Sequence, residues 1–391
     1  MQTNKPCISL AAAVGLAVLS SSNALAAGSP CKFSAKLMAS SCHAERMEEY
    51  SSSFARCNAI DDAEARDNCK TAARNARKAA GPGCAEQKSA RMEVCNALGE
   101  RLYQDPLADP GIEFIDPDDI GSGGVENNPY VILETGHTHV LRAEEYDPDT
   151  DETAIELIVV YATDEVREIA GVNCRVVVDV VVEPEWDEDE GKWGFTPIEV
   201  TDDWFAQDAQ TNVYYCGELA RNFEDGVLRD LDGSFEAGLD YAQGGALTLA
   251  FPTPGDIHRQ EYALGEAEDI VEYVALDADP ADEGISDLQL DSAYRCTASG
   301  NSCLMTYDST PLEPGNAEYK YYLAGVGFVL SAHLEDGEIN PDVSEWLVCH
   351  GDSLDVLSTC GFDAEFGAGA TAELRQELCD LHDEYCDDGE S

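Results

Sequence analysis

The sequence predicts an α+β protein: a disulfide-stapled helical hairpin or three-helix arm, then a strongly curved antiparallel β-domain, then a short C-terminal helix. Three observations carry this. Cysteines recur through an Ala- and Arg-rich front, the hydrophobic period changes from helical to two near residue 128, and no helical run then interrupts the strands. Parallel neighbours need crossovers of a dozen or more residues, so the strands pair antiparallel.

The chain opens MQTNKPCISLAAAVGLAVLSSSNALAAG, with Lys5, an apolar run from Ile8 to Leu19 and the small-residue site Ala24-Leu25-Ala26. This is the pattern of a secretory signal peptide over 1–26, leaving a mature chain from Ala27. The run is shorter than the roughly 20 residues a bilayer needs, so no integral membrane segment is expected. Pro30 before Cys31 disfavours a lipid anchor. The expectation is a soluble exported protein, periplasmic or extracellular.

Loss of Cys7 with the signal takes the cysteine total from 15 to an even set: Cys31, Cys42, Cys57, Cys69, Cys84, Cys95, Cys174, Cys216, Cys296, Cys303, Cys349, Cys360, Cys379 and Cys386. Even parity in an exported chain predicts full pairing. No Cys-x-x-Cys or Cys-x-x-Cys-His is present to suggest zinc, a redox dithiol or covalent haem.

The arm spans 27–104, where gaps of 10, 14, 11, 14 and 10 residues separate six cysteines in palindromic order. Asp61 and Asp62 stand where an N-cap and first-turn acid belong, and Gly81-Pro82-Gly83 stops the run. A turn centred near Pro82 would set Cys69 level with Cys95, which makes that pair the expected bridge. An arm this short has a small core, and each bridge is worth about 2–4 kcal/mol.

Charge divides the chain. Residues 27–104 carry 12 Lys or Arg against 10 Asp or Glu, whereas 105–391 carry 10 against 68, and the whole stands at −55. Phosphate backbones need a basic stripe, so nucleic acid is excluded as a partner, and anionic membranes are disfavoured. Residues 105–127 hold seven acids, no base and several Pro and Gly, and read as a linker.

The β-domain covers 128–340, with strand-like runs at ETAIELIVVYATDEVREI, VNCRVVVDVVVEP, NVYYCGEL, LTLAFP and EYKYYLAGVGFVLSAHL. A Cys-containing extension, 341–391, ends in a helix whose Leu374, Leu378, Leu381 and Tyr385 form an apolar stripe that would dock on the sheet. Cys349 is expected to bridge to Cys360, or both to the Cys379 and Cys386 of that helix.

Candidate chemistry is sparse. DPDTDE at Asp147–Glu152 begins like a calcium loop, but Glu152 occupies the glycine position and Ile158 the twelfth. With WDEDEGKW and DADPADEG it reads as an acidic turn that attracts divalent cations, calcium among them, and no dedicated cofactor is predicted. His137-x-His139 puts two imidazoles on one strand face, an incomplete copper or zinc site. Gly-Asp-Ser-Leu at Ser353 matches the nucleophile tetrapeptide of one class of serine esterases. Only 38 residues follow it, and Asp380-Leu381-His382 is one residue short of the Asp-x-x-His spacing, so no catalytic residue is assigned.

As a set, NPY near Asn128, GVNCRVVVD, DDWFAQD, NVYYCGE, GSFEAGLDYAQGG, HRQEYALGEAED and EYKYYLAGVGFVL resemble a family of exported, acidic bacterial proteins. The resemblance covers most of Cys31 to Leu334. It implies that a cysteine-bearing helical segment and this β-region form one recurring unit, and it implies no activity. GHTHVL and the tail beyond Asn340 depart from the pattern.

These features favour a non-enzymatic exported protein acting in binding or at the cell envelope. The alternatives are a carrier of a small apolar ligand in a pocket lined from the Val176–Val182 and Tyr319–Val329 strands, and a hydrolase at Ser353. Titration of the unfolded, unreduced secreted protein with a thiol reagent should find no free sulfhydryl; several would overturn the stapled-arm reading.

Overall fold

The computed structural model describes residues 29–79, 81–99, 102–121, 124–148, 150–188, 191–224, 226–285, 290–297 and 302–386; the expected signal peptide, with Cys7, lies outside them. The fold class is as the sequence predicts.

Helix α1 (Pro30–Asn58) starts with Pro30 at its first position and Ser29 as N-cap, accepting from the Lys32 N–H at 3.4 Å. Helix α2 (Ala63–Ala79) is capped by Asp62, which accepts from the Ala65 N–H at 2.8 Å, and α3 (Gly81–Ala97) follows. Both pack along α1 and hardly touch each other. The bridges are Cys31–Cys95, Cys42–Cys84 and Cys57–Cys69, so the expected Cys69–Cys95 bridge is wrong. The reversal of direction lies between α1 and α2, not at Pro82, and every bridge is centred on residue 63. The palindrome is therefore the mark of nested pairing across one hairpin. In α1 only Ala35, Ala39 and Cys57 are buried, and in α2 nothing is. Covalent closure does for this arm what an apolar core does elsewhere.

The arm is fastened to the β-domain by a buried ion pair. Arg91 on α3, 4 % exposed, donates from Nε and Nη2 to the fully buried Glu268 at 3.0 and 2.6 Å, and the Gly265 N–H donates to the same carboxylate at 2.9 Å. Gln87 adds a bond to the Leu312 carbonyl at 2.8 Å.

The stretch 105–127 is packed rather than free. Asp105 and Asp116 cap two short 3-10 turns, Pro106–Ala108 and Pro117–Asp119. Leu107 and Ile120 are buried, and Phe114 bridges antiparallel to Asp208.

Among the described residues fifteen strands follow: β1 (Thr138–Asp147), β2 (Glu152–Ile169), β3 (Val172–Asp187), β4 (Lys192–Gln207), β5 (Val213–Glu224), β6 (Val227–Asp230), β7 (Phe235–Glu236), β8 (Gln243–Thr248), β9 (Ile257–Arg259), β10 (Glu261–Tyr262), β11 (Ile270–Ala278), β12 (Cys303–Ser309), β13 (Asn316–Leu323), β14 (Gly327–Glu335) and β15 (Glu338–Gly351). Thirteen of them form one antiparallel path, β10-β8-β5-β4-β3-β2-β1-β15-β14-β13-β12-β11-β9, with β6 and β7 added on β5. Strand β15 runs across position 340, where the sequence suggested an extension, and it pairs with β1 and β14 in mid-sheet. The acidic turns fall at strand ends: Asp147 and Glu152 flank the β1–β2 hairpin, and Trp186 faces Trp193 across the β3–β4 hairpin.

Its two edges are consecutive in the chain. β9 pairs with β11 and β10 with β8, so residues 257–262 bring one edge against the other and the sheet becomes a near-closed barrel. Between the two short strands Gln260 donates from its N–H to the Asp269 carbonyl at 2.9 Å and from Nε2 to Leu247 at 3.3 Å. The approach is close enough that a Cβ on Gly245 would lie 2.2 Å from the Gln260 carbonyl oxygen and 2.6 Å from that of Arg259.

Outside, one face of β3 supplies Val176, Val178, Val180 and Val182 to a core shared with Phe362, Leu374, Leu378 and Tyr385. Leu374 and Leu378 belong to α5 (Ala370–Leu381), which comes after the single-turn α4 (Phe362–Glu365) and docks on the sheet as its stripe predicts. Tyr385 reaches between strands to donate to the Val159 and Val178 carbonyls at 2.5 and 2.9 Å.

Gly245→Ala should destabilise the barrel by about 1–3 kcal/mol through backbone collision. Gly194→Ala, where no atom lies within 4 Å of the new Cβ, should be nearly neutral in the same urea titration.

Candidate functional site in the barrel interior

Strand alternation decides what lines the interior. With Val178 and Val180 turned out to the helix, Asp179 between them turns in. Tyr130, Leu133, Val177, Phe205, Tyr322 and Phe328, from both sides of the sheet and the segment before β1, meet around one apolar cavity of about 140 Å³. Only the concave face brings these strands together. The inward wall is thus apolar at the end plugged by residues 115–133 and acidic beyond it.

The acidic wall follows the register. Thr306, Lys320, Ser331, Glu345, Ala143 and Glu156 are successive cross-strand neighbours on β12, β13, β14, β15, β1 and β2. On the opposite wall Asp179 faces Thr201, and Asp203 faces Glu218. The Lys320 ammonium lies 3.4 Å from Glu318 and 3.8 Å from Asp308. Burial works against its charge, but those two carboxylates together hold it protonated far above the ordinary lysine range.

The Tyr215 hydroxyl contacts Asp203 and also Glu218 Oε2, the latter at 2.9 Å. A hydroxyl carries one proton to share between the two carboxyl groups, so the arrangement is best satisfied when one of them is a carboxylic acid. Burial pushes both carboxyls up, and Glu199 and Asp202 around Asp203, with Asp203 itself beside Glu218, add like-charge repulsion that the Tyr215 bond only partly offsets. Burial, reinforced by Glu318, raises Glu345 to about 7. Asp179 is raised for the same reasons, burial first and then Asp203, and its Oδ1 has no partner. Glu261, 6 % exposed on β10, also keeps an oxygen, Oε2, without a partner.

At the plugged end the two sequence-marked histidines gain a third. His139 pairs in register with His350 of β15, and the rings of His137, His139 and His350 lie 4.8 to 5.9 Å apart. Burial first, then mutual repulsion, lowers His137 to about 4 and His139 to about 3, so all three are neutral at neutral pH. Nε2 of His137 and of His139 and Nδ1 of His350 have no hydrogen-bond partner. Among the described residues, no three or more His, Cys, Asp or Glu side chains are grouped to hold a metal ion. His350 was invisible to the sequence reading because it is 211 positions from His139 and strand register alone joins them.

The remaining marked residues are structural or unengaged. All fourteen cysteines pair; beyond the arm the bridges are Cys174–Cys216, Cys296–Cys303, Cys349–Cys360 and Cys379–Cys386. Ser353 is exposed on the turn before a 3-10 helix. His382 lies 3.0 Å from Asp202 on β4, remote in role from that serine. Of the two strands expected to line a pocket, Val177, Tyr322 and Phe328 do so, whereas Val176 and Val178 face outward.

Comparison with known proteins adds a distant likeness. No known family's profile matches the chain, and no curated protein does. Among solved structures, a Bacteroides fragilis protein predicted to be exported and described as having a YmcC-like fold matches with 12 % identity and a TM-score of 0.27, over 57 % of this chain and 97 % of that one. Seven disulfides are the mark of an extracytoplasmic protein, and no described helix is long and apolar enough to cross a membrane.

The raised lumen carboxyls give a signed pH dependence. A folded-state pKa above the unfolded value adds stability below the unfolded value and loses it as pH rises. The stability of the wild type relative to Glu218→Gln should therefore fall as pH rises above 4.5, by up to about 1.4 kcal/mol per pH unit. Urea unfolding at a series of pH values checks this, and a flat difference contradicts it.

Proposed function

We propose that this chain is a non-enzymatic exported binding protein whose barrel lumen takes up a cationic ligand, an organic ammonium or guanidinium. The observation that carries this reading is the Asp203–Tyr215–Glu218 arrangement, in which one hydroxyl proton serves two carboxyl groups that face each other in register. A lumen built from Asp179, Asp203, Glu218 and Glu345 has a surplus of carboxyl groups with raised pKa, and Lys320 is already committed to Glu318 and Asp308. A ligand cation entering there would displace protons and meet carboxylates already aimed inward, with little reorganisation.

The spread of these carboxylates around the wall favours an extended cation over a bare metal ion, which needs its ligands on one point. The apolar end is close in size to an engineered cavity of about 150 Å³ that takes up benzene, so an apolar carrier role would be limited to a ligand of that size and not a lipid chain.

Isothermal titration with spermidine should show saturable binding that releases protons, stays stronger than any effect of NaCl at matched ionic strength, and weakens at least tenfold in Glu218→Gln. Calcium chloride in the same cell tests the divalent-cation reading. Responses to all three salts that depend on ionic strength alone would leave only screening of the surface.

A further inference from the structure

A second cavity, of about 500 Å³, lies where the arm meets the barrel seam, between Ser34, Leu98 and Leu102 on one side and Gln243, Arg259 and Tyr262 on the other. Its volume falls in the usual range for small-molecule sites. Arg259 is 4 % exposed, ends β9 at the point where the barrel closes, and its side chain has no ion pair or hydrogen bond among the described residues; Nη1 is buried without a partner. The guanidinium lies over the Tyr262 ring at 4.2 Å, and Tyr103, edge-on to that ring at 4.9 Å, is held by its hydroxyl donating to the Gly244 carbonyl at 2.6 Å.

A buried guanidinium without a carboxylate is costly, and it is unexpected in a chain with 78 acids and 23 bases. Glu268 supports its charge from a distance but does not bond it, because the hydrogen bonds of that carboxylate go to Arg91 and the Gly265 N–H. Arg91 and Glu268 pair with each other, so Arg259 is the cation without an ion pair among the described residues lining the cavity, whose walls combine leucine and tyrosine side chains with Ser34 and two glutamines. His258, which also lines the cavity, is kept neutral by burial and has its Nε2 3.3 Å from the Tyr273 hydroxyl, so it adds no charge.

We propose that this cleft binds a small monocarboxylate carrying an aromatic or aliphatic body, with Arg259 as the counter-charge and the two tyrosines and two leucines around the body. A single charge is specified because Arg259 is the one uncommitted cation among the described residues lining the cleft and because the surrounding field of a −55 chain opposes any further negative charge. Such a ligand would touch arm and barrel at once and is independent of the lumen.

The test is equilibrium dialysis of the oxidised, signal-free protein against radiolabelled benzoate and hexanoate, with benzamide and hexanamide as neutral isosteres. Saturable binding of at least one acid is expected, at least tenfold tighter than its amide. It should weaken at least tenfold in Arg259→Gln and be lost in Ser34→Trp, which puts a bulky ring into the cleft from the α1 side and leaves Arg259 in the sequence. Equal affinity for acid and amide, no saturable binding up to millimolar acid, or undiminished binding in Ser34→Trp would each overturn the proposal. Should Arg259→Gln fail to fold, the wild-type acid-to-amide ratio and the Ser34→Trp result still decide it.

Discussion

Closure of the sheet at residues 257–262 is the constraint on which the rest of this structure depends. An open sheet of this length would leave two rows of unpaired backbone groups and no distinction between inside and outside. Gly245 lets the closing segment approach to within the space a methyl group would take. Once the edges meet, every second residue is committed to a lumen and every other to the outer layer. The valines of β3 are then core beneath the C-terminal helix, and Asp179 among them becomes a lumen acid.

The arm and the barrel solve the stability problem in opposite ways. The barrel encloses a large apolar layer between its outer face, the C-terminal helix and the segment before β1. The arm buries almost nothing in α1 and α2 and relies on three nested bridges. Their junction uses the Arg91–Glu268 pair. A buried pair of this kind adds little net stability, because desolvating both charges offsets their attraction, but its fork geometry fixes how the two parts sit. It also sets the charge balance of the cleft beside it, since the hydrogen bonds of Glu268 are then unavailable to Arg259.

The acidity of the chain has two physical meanings. Most of the 68 acids after residue 104 decorate turns and strand edges, where water screens them. A minority face the lumen, where burial and mutual repulsion raise their pKa and two of them share the one hydroxyl of Tyr215. Burial likewise keeps the three histidines neutral, with repulsion between the rings adding to it at His137 and His139.

Composition and local pattern were enough to predict the fold class, the even set of bridging cysteines, the antiparallel curved sheet and the docking stripe of the last helix, because each follows from periodicity or parity along the chain. The palindromic cysteine spacing also held the nested pairing, but placing the turn at Pro82 rather than around residue 63 hid it. What required three dimensions was everything that depends on register between distant strands: the partnership of His139 with His350, the meeting of Asp203 and Glu218 at Tyr215, and the isolation of Arg259 at the seam. In a chain this rich in carboxylates, sequence alone cannot tell a solvated acid from a lumen acid. Closure of the barrel draws that line, because it determines which of two alternating faces loses its water.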